Sequence, residues 1–229
     1  MRERLDEILK GDLGVSGYYI YDSIEKYKNS TIVELGTYIG ESTQLFLLDA
    51  EIKNNTIHTI DVSFDSLSQE IKNNNRLNMI LGDSPTVGKY WDRPIDILFV
   101  DTFHIKEQVL SELYYWYPHV NEGGLLIFHD TNWPEDKHDE YGGILWERPE
   151  EAIKEFFEIS DLNFENDYIK SINYPEKWGL TIIEIKKKTN YISRYKKWSD
   201  VFERRDHLIS LFWNENNKEN VKIDLKLDV

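Results

Sequence analysis

Cysteine is absent from the chain's 229 residues, which excludes disulfides, thiolate zinc sites and a cysteine nucleophile. Any metal must therefore sit on oxygen or imidazole ligands. Basic residues are few: 27 Lys and Arg stand against 42 Asp and Glu, for a formal net charge of −15. Phosphate contact needs clustered cations, so nucleic acid is not an expected partner. No apolar run approaches the roughly 20 residues of a membrane span. The charged opening, Met1 to Lys10, has no apolar signal-peptide core and places Leu5, Ile8 and Leu9 on one helical face. A cytoplasmic chain without a membrane span is expected. Internal repeats and low-complexity linkers are also missing.

What is present is apolar and aromatic: 40% of residues are hydrophobic and 14% aromatic, enough for a globular core. The central stretch is Thr31 to Ser42, TIVELGTYIGES. A β-branched and apolar run leads into Gly36 and Gly40, then into a helix-like sequence, the parts of a nucleotide-binding βα corner. Gly36 permits a sharp turn and Gly40 a close backbone approach. The helix's first amides, with Ser42 beside them, can face a polar ligand group. The two glycines lie four positions apart with Tyr38 between them. That spacing departs from the dinucleotide fingerprint and leaves little room for a pyrophosphate. Glu34 would repel phosphate but welcome an ammonium or a sulfonium.

The rest of the chain alternates strands and helices. Expected strands are Thr56 to Ile60 ending at Asp61, Leu77 to Leu81 running into Gly82 and Asp83, and Ile95 to Val100 ending at Asp101. A further strand, Leu125 to Phe128, is opened by Gly123 and Gly124 and ends in His129 and Asp130. The nearly all-apolar Ile95 to Val100 run marks a central parallel strand. Helices are expected over Tyr18 to Lys28, Glu41 to Ile52, Ile105 to Tyr117 and Pro149 to Ile159. Thr131 to Arg148 reads as a loop able to serve as a substrate lid. Asp167 to Ile172 and Leu180 to Ile185 form a terminal antiparallel hairpin. The tail adds a helix from Tyr195 to Trp213 and an alternating strand pattern at Val221 to Leu225. On that helix Trp198, Phe202, Leu208 and Phe212 require a packing partner. The fold class is α/β, a Rossmann-like doubly wound sheet, mostly parallel with a terminal antiparallel strand and helices on both faces.

The acids and imidazoles cluster at strand carboxyl ends, where an open α/β sheet has its ligand crevice. Asp61 is 25 residues after Gly36, at the place of a ribose-binding acid, and a carboxylate can accept both hydrogen bonds of a diol. Asp83 also suits an N-cap for the next helix.

Glu34-x-Gly36-x-x-x-Gly40 resembles motif I of the class I S-adenosylmethionine-dependent methyltransferases. Phe99 to Asp130, with Asp101-x-x-His104 and the His129-Asp130 ending, resembles their sugar, macrolide-sugar and catechol-type O-methyltransferases and the cephalosporin-hydroxylase-like subgroup. The resemblance implies S-adenosyl-L-methionine as cofactor, bound by Glu34, Gly36, Tyr38, Gly40, Ser42, Asp61, Asp83 and Asp101, with Asp83 meeting the adenine amino group. It implies His104 as catalytic base, with Asp101 and His129 completing the catalytic set. Asp101, His129 and Asp130 are the candidate ligands for Mg²⁺ or, given the imidazole, Mn²⁺.

The expected reaction is methyl transfer to a hydroxyl of a sugar, glycan precursor or related small metabolite. The alternatives are an NAD-dependent reductase, opposed by the glycine spacing and Glu34, and an inactive binding protein with the same fold. The expected organisation is an N-terminal helical extension over 1–30, a cofactor-binding domain over 31–188 and a helix-strand extension over 189–229. A homo-oligomer through the last of these would cover its apolar face.

Overall fold

The computed structural model describes residues 2–132 and 149–216. Two helices, α1 (Arg2–Ile8) and α2 (Gly14–Ser23), precede the first strand, β1 (Thr31–Leu35). There follow α3 (Glu41–Lys53), β2 (Thr56–Asp61), α4 (Gln69–Lys72), β3 (Leu77–Leu81), α5 (Ser84–Gly88) and β4 (Ile95–Val100). Next come α6 (Lys106–Trp116), a 3-10 turn at Tyr117–His119, β5 (Val120–His129), α7 (Pro149–Phe157), β6 (Phe164–Glu165), β7 (Ile169–Tyr174) and β8 (Leu180–Ile185). Two helices, α8 (Tyr191–Arg194) and α9 (Trp198–Asn216), end the described chain.

The eight strands form one sheet in the order β3-β2-β1-β4-β5-β8-β7-β6. β1 to β5 pair in parallel, whereas β8 runs antiparallel to β5, β7 to β8, and β6 to β7. Because β1 adjoins β4, the chain reverses its direction of travel across the sheet there, and the crevice at the strands' carboxyl ends opens at that point.

Alternating side chains of the central strands enter two cores. Val33, Leu98, Val100 and Leu126 pack towards α6 and α7, among Val109, Trp116 and Phe156. Ile32, Ile97, Phe99 and Ile127 pack on the other face, against Leu45 and Phe46 of α3 and Ile20 of α2. Burying each such aliphatic or aromatic side chain is worth about 1.5–3 kcal/mol. With both faces covered, the strands have no polar-out alternation, so they read as continuous apolar runs.

Several boundaries differ from expectation. α2 begins at Gly14 rather than at Tyr18, and Gly17 within it packs inward, where a Cβ would strike Leu9. β5 starts at Val120, so Gly123 and Gly124 lie inside it. Gly123 has φ +78°, and the β4–β5 register shifts between Ile95 and Ile97, so the glycines make an irregularity within the strand. β6 was not expected. The expected tail helix is α9, starting at Trp198 rather than at Tyr195, and an unexpected short α8 precedes it, with Asn190 capping α8 by accepting the Ser193 N–H at 3.0 Å. The apolar face of α9 finds a partner within the chain: Trp198 and Phe202 pack edge-on against Tyr114 of α6, with centroids 4.7 and 5.2 Å away. The lid segment beyond Asn132 and the Val221 to Leu225 strand pattern lie outside the described residues.

Candidate active site

Gly36 follows β1 and adopts φ +86°, a left-handed conformation that suits glycine. The loop it opens is held by Asp61 at the end of β2. The Thr37 and Tyr38 N–H groups donate to Asp61 Oδ2 at 2.8 and 3.0 Å, and Ser63 N–H donates to Oδ1 at 3.0 Å. The loop ends at Gly40, whose φ of +85° at the N-cap launches α3 and whose missing Cβ makes room for Leu67 and Ile71.

Beneath the loop lies Glu34, fully buried. It accepts hydrogen bonds from Ser42 Oγ at 2.6 Å, Thr43 Oγ1 at 2.7 Å and Thr59 Oγ1 at 2.6 Å. Burial pushes its carboxyl up to about 7, although the three hydroxyl donors work against that rise. Glu34 thus ties the start of α3 to β2.

At the carboxyl ends of β1 to β5 is a cavity of about 600 Å³, within the range of small-molecule sites. Gly36, Tyr38, Asp61, Asp83, Asp101, His104 and Asp130 line it. Three expected cofactor contacts do not: Glu34, Gly40 and Ser42 stand behind the loop. This corrects the expectation that Glu34 meets the ligand directly, because its oxygens are spent on buried hydroxyls. Asp83 lines the cavity and also caps α5, accepting Thr86 N–H at 3.2 Å and Thr86 Oγ1–H at 2.7 Å.

The ends of β4 and β5 bring two acids and two imidazoles together. His104 Nε2 lies 3.2 Å from Asp101 Oδ1 and 3.3 Å from Asp130 Oδ2. His129 Nδ1 lies 3.4 Å from Asp101 Oδ2 and 3.2 Å from Asp130 Oδ1, without hydrogen-bond geometry in either case. Burial would lower both histidines' pKa, but the carboxylates outweigh it: His104 is raised, and His129 is pushed up to about 9. Burial raises the pKa of Asp130. For Asp101 burial acts the same way, yet His129 and His104 hold its carboxyl far below the usual range.

Ligand atoms of Asp101, His104 and Asp130 lie within 4.8 Å of one another, close enough to share one cation. Asp130 Oδ1 is buried with no hydrogen-bond partner among the described residues, so this donor set fits a divalent ion. The imidazole of this set is His104. His129, the ligand expected from sequence, is only 3% exposed, lies outside the cavity lining and stands beside the same two acids.

Sequence reasoning missed Asp12, Ser84, Thr102, Gln108 and Ile209, which also line the cavity. Ser84 and Thr102 were findable as immediate neighbours of strand-end acids. Asp12 had no local signal; it is brought in because Glu41 Oε2 accepts the Asp12 and Leu13 N–H groups at 2.6 and 3.1 Å. Lys177 Nζ fastens the same segment by donating to the Asp12 carbonyl at 2.8 Å.

Comparison with known proteins bears on the fold. Residues 33–131 match a family described as a methyltransferase domain. An uncharacterized protein of Acanthamoeba polyphaga mimivirus is 28% identical over 113 residues, 44% of this chain and 51% of that protein. The chain thus aligns with about half the length of that relative. The Podospora anserina methyltransferase PaMTH1, solved with S-adenosylhomocysteine, superposes with TM-score 0.57 at 15% identity, covering 81% of this chain and 84% of that one. MycE of mycinamycin biosynthesis, solved with Mg, S-adenosylhomocysteine and mycinamycin VI, gives TM-score 0.56 at 17% identity, covering 80% of this chain and 53% of that one. CalS11, a TDP-rhamnose 3′-O-methyltransferase of calicheamicin biosynthesis, gives 0.52 at 15%, covering 80% and 81%. At these identities the structural likeness is one of fold. The sheet order and the family match define a Rossmann-like methyltransferase architecture. Within that fold, residues 33–131 are similar to a methyltransferase domain.

Proposed function

We propose that this protein transfers the methyl group of S-adenosylmethionine to a hydroxyl of a sugar or related small metabolite, with a divalent cation held by Asp101, His104 and Asp130. The observation that carries the reading is the convergence of these three side chains at the rim of the cavity floored by the Gly36 loop. The net charge of −15 favours a small acceptor over a polynucleotide. The sugar O-methyltransferase among the structural neighbours points the same way.

Methyl transfer from a sulfonium is an in-line displacement, so much of the catalysis comes from positioning. Gly36, Tyr38 and Asp61 form the cofactor side of the cavity, and Asp101 and Asp130 face it from the acceptor side. A bound cation would lower the pKa of the acceptor hydroxyl. His104 Nε2 points between two carboxylate oxygens, a position that suits a metal-bound nitrogen or one that already carries a proton.

A second reading follows from the same contacts. Without a metal, His104 serves as the base, and Asp101 and Asp130 stabilise the imidazolium it becomes. Exhaustive chelation separates the two. Loss of turnover that Mg²⁺ or Mn²⁺ restores supports the metal; full turnover after chelation, together with loss in His104→Ala, supports the base. Failure of the full chain to bind S-adenosylhomocysteine in calorimetry would remove the methyltransferase reading altogether.

A further inference from the structure

The tail helix α9 lies outside the matched 33–131 family region, yet it reaches the cavity. Ile209 lines the wall beside Ser84 and Gln108. One turn earlier, Arg205 is largely buried, its side chain 11% exposed. Its guanidinium pairs with Asp83 Oδ1 through Nη2 and donates from Nε to Gln108 Oε1 at 2.7 Å. Gln108 Nε2 then donates to Glu112 Oε1 at 2.7 Å and to Ser84 Oγ at 3.1 Å. Glu112 also accepts from Ser84 Oγ at 2.5 Å and from Thr102 Oγ1 at 2.8 Å.

One arginine of the tail therefore enters a polar network that joins the loop after β3, the loop after β4 and buried side chains of α6. Four members of that network, Asp83, Ser84, Thr102 and Gln108, line the cavity. A guanidinium has the planar fork needed to hold two partners at once. The rest of α9 supplies the docking: Phe202 stacks on Tyr115 at 5.7 Å, and Arg204 pairs with Glu107 at 2.8 Å on the more exposed side.

We propose that Arg205 is a positioning residue of the cofactor site, fixing the carboxylate of Asp83 and the amide of Gln108 at the cavity wall, so that α9 is part of that site. The inference rests on the cofactor reading above.

The test is calorimetric titration of the full chain with S-adenosylhomocysteine, with thermal melting of every variant. Arg205→Ala is expected to weaken binding about tenfold or more, the scale of a lost charge-assisted contact. Arg205→Lys, which can satisfy one partner but not both, should fall between that and the unaltered chain. Arg204→Ala removes the same charge from the same helix without touching the cavity, and should bind as tightly as the unaltered chain. In an Asp83→Asn background the Arg205→Ala effect should shrink severalfold. If Arg205→Ala does not fold, Arg205→Lys and Arg204→Ala decide. Unchanged affinity in Arg205→Lys and Arg205→Ala, or an equal loss in Arg204→Ala, overturns the proposal. An unaltered chain that binds no S-adenosylhomocysteine removes the cofactor reading and this inference with it.

Discussion

Gly36 abuts the backbone carbonyl of Asp101: a Cβ at this position would stand 2.7 Å from the Asp101 carbonyl carbon and nearer still to its oxygen. The two residues end neighbouring strands, and Asp101 N–H donates to Leu35 O at 2.9 Å. Close approach and the φ of +86° both demand glycine here. Gly36→Ala should therefore cost about 1–3 kcal/mol of backbone strain alone, and should displace Asp101 from His104. Urea denaturation reads the first effect and S-adenosylhomocysteine titration the second. Wild-type values in both would show that the loop is not held this way.

The two buried glutamates predict how stability depends on pH. Glu34 and Glu112 are each raised from 4.5 to about 7, with burial as the main cause. Each therefore binds its proton more tightly folded than unfolded. That stabilisation is complete below about pH 4.5 and is lost as pH rises through about 7, on the order of 3 kcal/mol for each group. Glu112→Gln keeps an amide oxygen for its donors and should flatten this fall. Denaturant titrations from pH 5 to 8 check it; equal slopes in parent and variant would refute it.

Asp61 is a sharper test of the cofactor loop than it is from sequence alone. Its carboxylate accepts three backbone N–H groups, two of them from the loop itself. Asp61→Ala should lose about 1–3 kcal/mol of S-adenosylhomocysteine binding and leave the Thr37 and Tyr38 amides without their acceptor. Hydrogen exchange at those two amides should quicken in the variant. Protection at parent levels would mean that the carboxylate does not order the loop.

The strand-end acids were legible because their strands were. Ile95 to Val100 and Thr56 to Ile60 are strand-forming runs largely buried on both faces, and Asp101 and Asp61 follow from where those runs stop. Gly123 and Gly124 misled, since a glycine pair usually punctuates a strand and here lies within one to accommodate a register shift. Glu34 was legible as important but not as buried, because its three hydroxyl partners come from α3 and β2. Arg205 and Asp12 were invisible for a different reason. Each reaches the cavity through contacts with distant segments, Arg205 to Asp83 and Asp12 to Glu41, and no local pattern encodes a pairing of that kind.

Asp130 separates a functional carboxylate from a structural one. Its φ of +53° is left-handed, a conformation that Asp and Asn tolerate better than other side-chain-bearing residues. Asp130→Asn therefore keeps backbone and volume while removing one charge. The parent carboxylate is buried, with Oδ1 lacking a hydrogen-bond partner among the described residues and two imidazoles nearby. The desolvation relieved and the attraction lost oppose each other, as they do in buried ion pairs. Because Asp101 still faces both imidazoles, folding stability should fall by less than the roughly 3–5 kcal/mol of a buried pair that loses its sole partner. Binding of Mn²⁺, followed by calorimetry on the full chain, should weaken about tenfold or more, in the range seen when metal-site groups are altered. Methyl transfer should fall with it. A variant that folds, binds Mn²⁺ like the parent and keeps full turnover would remove Asp130 from both the metal and the acceptor site. Asp101 and His104 would then stand alone at the rim, too few ligands to hold a cation tightly, and the base reading of His104 would take precedence.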